Sequence, residues 1–199
     1  RGGRIMADPS YIVDGVLTDS EAWVGLNTTT LGSDTATITF TSTDDGQVGD
    51  FSQYMDLMII TYARSARSGD ESPIDMRFNN DTSNIYVTQM LKGINTSASA
   101  VAITATYAQI AELPATSQPA NYRATSITTL FDINSGKYKS GIVQWSRDSS
   151  GADGSVSRGA LIWKSQAAIT EIDLYDLFGG DFLTGSSFSL FGVLPRMVA

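Results

Sequence analysis

Cysteine and histidine are both missing from this 199-residue chain. The first absence excludes disulfides and thiolate chemistry. The second removes Ser-His-Asp and Cys-His nucleophile systems, His-ligated zinc and the one side chain that titrates near neutrality without perturbation. Positive charge is scarce as well: 13 Lys and Arg stand against 21 Asp and Glu, for a net charge of −8, and the basic residues are scattered. Neither a nucleic acid nor an anionic membrane is therefore an expected partner. No apolar run approaches the ~18 residues a spanning helix needs. The longest, MDLMIITYA, is strand-sized and contains Asp56. Paired-carboxylate glycosidase chemistry needs only two acids, but no spacing singles out such a pair. The expectation is a chain that is not an enzyme, with no catalytic residues and no cofactor.

Hydrophobic residues make up 42% of the sequence, enough for a sizeable core. Threonine alternates with apolar residues in ATITFTS, where Ile38 and Phe40 share one face and Thr37, Thr39 and Thr41 the other, the pattern of a half-buried strand. Similar runs recur at 10–16, 56–64, 74–78, 84–91, 100–107, 124–133, 141–145, 159–164, 168–175 and 187–193, separated by turn clusters rich in Gly, Asp, Ser and Pro. Such spacing predicts an all-β fold, an antiparallel β-sandwich that is jelly-roll-like, with an extended N-terminal arm. Residues 1–12, opening with RGGRIM, read as a flexible or docking arm, and residues 13–199 as one sandwich domain. The Ala-rich stretch 98–113 alternates as a strand, with at most a helical turn near AQIAEL. MDLMIITYA is apolar on both faces, which predicts a central strand covered by a loop or by a neighbouring subunit.

The densest polar cluster is RFNNDTSNIY, residues 77–86. Asn and Asp tolerate positive φ and bond their own backbone, so a hairpin turn is one reading. The other is a cation site using Asp75 and Asp81, although the D-x-[DN]-x-[DN]-G order of a calcium loop is missing. Asp148 and Asp153 in RDSSGADGS form a second weak metal candidate of the same kind. Among the aromatics, Trp163 shares a face with Leu161 and Trp145 with Val143, so both read as core. Tyr175 lies on the face of Glu171 and Asp173 and is the best candidate for an exposed, glycan-binding ring. The closing stretch reads as strand, Gly-rich turn, strand, with Phe182 folding back as an apolar plug.

The succession ATITFTS, YMDLMIITYARSARS, IDMRFNNDTSNIY, GALIWKSQAAITEIDL and GSSFSLFGV, spanning roughly residues 10–194, resembles a family of tailed-bacteriophage virion proteins described as structural, fibre or decoration proteins. Its most specific elements are the RFN-x-D turn and AIT-x-I-x-L followed by SFSLFGV. This chain departs from the family pattern at Asn80, where Gly is usual, at Ile85-Tyr86, at Phe191-Gly192-Val193, and in a longer STDDGQVGDFSQY loop. For folding these departures are conservative if φ is positive at 80 and the ring at 191 is buried. The resemblance implies a non-enzymatic virion protein, a capsid decoration or cement subunit on the capsid surface. Its implied partners are the major capsid or other virion proteins, and copies of itself as a homo-oligomer, with a trimer favoured. The alternative is a tail- or head-fibre domain that binds a host glycan.

Overall fold

The structure is a computed structural model and describes residues 12–13, 16–17, 23–43, 49–149 and 154–194. It is all-β: among the described residues there is no α-helix, only a single 3-10 turn at Phe51–Gln53. Two short strands, β1 (Ile12–Val13) and β2 (Val16–Leu17), pair only with each other. The remaining strands are β3 (Trp23–Thr30), β4 (Thr37–Thr41), β5 (Asp56–Ala63), β6 (Glu71–Phe78), β7 (Tyr86–Ile94), β8 (Ser97–Ala105), β9 (Ala108–Pro114), β10 (Ala124–Phe131), β11 (Lys139–Arg147), β12 (Ser155–Trp163), β13 (Glu171–Asp176) and β14 (Ser187–Val193).

They form an eight-stranded sheet, β3-β14-β5-β10-β11-β12-β7-β8, and a four-stranded sheet, β4-β13-β6-β9, both antiparallel. Setting aside the hairpins β7–β8 and β11–β12 leaves eight strands in chain order, which occupy the two sheets as 1-8-3-6 and 2-7-4-5. That is the jelly-roll order, two Greek keys wound into a sandwich. The two hairpins add themselves beside β10 and double the width of one sheet, while the other keeps its four strands.

The core lies between the sheets, where inward residues such as Leu57, Ile59, Met76, Val143, Leu161 and Leu174 are fully buried. Trp145 and Trp163 are buried as their faces predict, and Trp163 packs against Phe78 and Tyr86 at ring separations of 5.3 and 6.2 Å. Phe182 does fold back: it is fully buried, bridges Thr35 and Ser65, and meets Phe188 at 4.8 Å. At the bottom of β14, Gly192 sits under the buried ring of Tyr54, and a Cβ built there would come within 2.3 Å of that ring. Gly192→Ala is therefore expected to cost about 2–3 kcal/mol through overpacking, measurable as a lower urea midpoint with an unchanged m-value.

Several expectations need correction. Residues 10–16 do not form one strand, since Ile12–Val13 and Val16–Leu17 are two strands paired antiparallel with each other. The arm expected at 1–12 lies outside the described residues except for Ile12, which opens β1. AQIAEL is strand throughout, and all seven residues of β9 are buried, because this edge strand also packs beneath β10 and β11. Neither the 79–84 turn nor the Gly-rich turn before β14 closes a hairpin, because each passes from the four-stranded sheet to the eight-stranded one.

Candidate functional site

The cluster 77–86 is a crossing point between the sheets. Asn79 and Asn80 have φ of 52° and 56°, and the Asp81 N–H closes the turn on the Phe78 carbonyl at 2.9 Å. Asn80 thus stands where a positive φ makes Gly the usual residue. The Asn79 carboxamide oxygen accepts from the Thr170 and Glu171 backbone N–H groups at 2.8 and 3.0 Å, and its Nδ2 donates to the Ala168 carbonyl at 2.7 Å. Asp81 is occupied as well: Oδ1 accepts from the Ser83 N–H at 2.8 Å and Oδ2 from the Trp163 indole N–H at 2.9 Å. Those bonds hold its carboxyl below the ordinary range despite some desolvation. The cluster is a structural lock between β6, β12 and β13.

Asp75 does not join Asp81. It lies within β6 at a bulge between Ile74 and Asp75, opposite Tyr175 on one side and Gln109 on the other. It is fully buried, and neither of its oxygens has a hydrogen-bond partner; the buried Tyr175 hydroxyl is likewise unpartnered. Burial pushes the Asp75 carboxyl up to about 8, against the pull of Arg77 and with the help of Asp176, so it is protonated at neutral pH. Asp148 accepts from the Ser149 N–H at 2.8 Å, and Asp153 lies outside the described residues. Among the described residues no three acidic side chains converge as metal ligands would.

Tyr175 is half-buried rather than exposed: the Arg77 guanidinium lies 4.6 Å above its ring, and that burial, with Asp75 nearby, raises its hydroxyl pKa. It does line a polar groove of about 420 Å³ on the outer face of the four-stranded sheet, with Thr37, Asn80, Thr82 and Asp173. Other buried charges brace loops. Arg64 donates to the Ala115 and Gln118 carbonyls at 2.9 and 2.6 Å and also to that of Pro119, while Lys92 pairs with Glu112 at 2.5 Å and ties β7 to β9.

The outer face of the eight-stranded sheet is different. Reading across the registered strands, one row runs Phe191, Met58, Thr129, Ile142, Ala160, Gln89 and the next Ser189, Ile60, Ile127, Gln144, Arg158, Leu91. Leu91 is 70% exposed, Val156 63%, Tyr62 49% and Ile142 40%, and Trp23 and Ile162 add to the patch at the rim. Arg158 is the one charged side chain exposed within the strands of this face among the described residues. Isolated apolar side chains on a surface need no explanation, but a contiguous field of this kind marks a contact surface. The run MDLMIITYA is thus a central strand as expected, with Met58, Ile60 and Tyr62 on the open side and no described segment laid over them. Phe191 belongs to this face and is only partly buried, so its ring does not occupy a core position. Residue alternation gives the two faces of each strand, but sheet order alone tells which strands combine their outward residues into one field.

Comparison of the chain with family models, curated proteins and solved structures finds no match.

Proposed function

We propose that this chain is a non-enzymatic structural subunit of a tailed-phage virion, a decoration or cement protein at the capsid surface that binds the major capsid protein or other virion proteins and also its own copies. The observation that carries the reading is the open, almost uncharged outer face of the eight-stranded sheet of a jelly roll, where Phe191, Met58, Ile60, Ile127 and Ile142 stand among uncharged Ser, Thr and Gln. Interface cores are depleted of charge and enriched in aromatic and aliphatic side chains in the same way. The order and spacing of the strand motifs, which resemble phage virion proteins, supply the particle.

The fibre-type alternative, binding of a host glycan, would use the groove beside Tyr175. Its expected platform is a ring already covered by Arg77, with its hydroxyl buried, so the assembly reading is preferred. The test is to add purified protein to shells lacking it and locate the added density by electron microscopy. Saturable occupancy at fixed lattice positions is expected, and residues 1–12 are the segment whose removal should lower it. Absence of binding to shells, together with density on a tail fibre, would reject the capsid placement.

A further inference from the structure

The eight-stranded sheet has no partner on its outer face among the described residues, and we infer that this face is where two copies of the chain pack, sheet on sheet. The inference rests on the assembly reading and deepens it by naming the occupant. Size supports a folded partner. Eight strands spaced ~4.8 Å apart span about 34 Å, and strands of seven to nine residues at ~3.3 Å each run about 25 Å, giving roughly 850 Å². A stable complex of standard size buries about 800 Å² on each partner. An extended peptide one strand wide would cover only a fraction of that.

Charge selects which folded partner. The chain carries a net charge of −8, so two copies repel wherever acidic side chains face each other. This face exposes no acid and one base, Arg158, among its described strand residues. Two like-charged copies can therefore approach here without acid facing acid, a cost that acidic surfaces elsewhere on the chain would impose. Geometry agrees, since sheets stack about 10 Å apart with strands inclined by about 30°. Around a two-fold axis each contact occurs twice. Ile60 and Ile127, directly opposite each other on β5 and β10, lie near the middle of the face and enter the contact from both copies.

The experiment uses the full chain. Size-exclusion chromatography with light scattering over the micromolar range should show a concentration-dependent dimer. The double variant Ile60→Lys/Ile127→Lys should weaken association by about 100-fold or more, with the circular dichroism spectrum unchanged, because it places charges in the centre of the contact. Since the chain has no cysteine, Gln144→Cys offers a single thiol on the same face, exposed in the free subunit. Its maleimide labelling should slow as protein concentration rises, and this readout holds even if the double variant fails to fold. A wild type that stays monomeric, a dimer that survives the double substitution, or labelling indifferent to concentration would each overturn the inference. The two readings fail separately: a monomer that still occupies shells refutes the sheet contact alone, and a dimer that never binds a shell refutes the capsid placement alone.

Discussion

Asp75→Asn is expected to stabilise the protein by on the order of 5 kcal/mol at pH 8 while leaving it nearly unchanged at pH 4. In the native chain the carboxyl is buried without a hydrogen-bond partner and holds its proton up to about 8. In the unfolded chain it ionises near the ordinary aspartate value of about 3.9. Between those values the native state binds a proton that the unfolded state has released, so stability falls as pH rises, by up to about 1.4 kcal/mol per pH unit from this group. The cost is absent below pH 4 and complete above pH 8. Asparagine has nearly the same shape and cannot ionise, so it removes that slope. For a chain of this size the gain corresponds to roughly 10 °C in melting temperature at pH 8. Thermal unfolding of both proteins from pH 4 to pH 9 decides it. Parallel curves would mean that Asp75 ionises in the fold, satisfied by a partner such as Arg77.

The burial of Asp75 illustrates what was legible in the sequence and what was not. The run 74–78 was readable as a strand, and in β6 Ile74, Met76 and Phe78 turn to one side and Asp75 and Arg77 to the other. An outward carboxylate would ordinarily be solvated. It is covered because β6 has a bulge at that residue and lies between β13 and β9, so Tyr175 and Gln109 close over it, and these are long-range pairings that local periodicity does not contain. Edge strands were the other gap. In β3 the run Asn27 to Thr30 lacks apolar alternation because an edge strand half in solvent does not require it, and β9 has no polar face because it is buried on every side. Strands flanked by Thr and bounded by Gly-Asp-Ser turns were readable since each carries its own two faces. The open sheet face was readable only as one strand with too much apolar character, MDLMIITYA. Its extent depends on β11, β12 and β7 adding their outward residues alongside.

Asn79→Ala is expected to destabilise the fold by about 3–4 kcal/mol, and the order of three substitutions there separates a turn from a lock. Alanine removes the acceptor for the Thr170 and Glu171 N–H groups and the donor to the Ala168 carbonyl, each net bond contributing about 1 kcal/mol. It also places a Cβ without side-chain compensation at φ 52°, at a further cost of about 1 kcal/mol. Asn79→Gly relieves the backbone but loses the same bonds, so it should cost about 2–3 kcal/mol. Asn79→Asp keeps the acceptor and the tolerance of positive φ but replaces the donation to Ala168 with an acceptor facing that carbonyl, for about 1–2 kcal/mol. Equilibrium urea unfolding should therefore rank the variants Ala, Gly, Asp from most to least damaging. If the residue mattered only as a turn former, glycine would match the wild type. A glycine variant well below it instead means that the side chain itself holds the crossing between β6 and β7 against the start of β13, and with it the alignment of the two sheets.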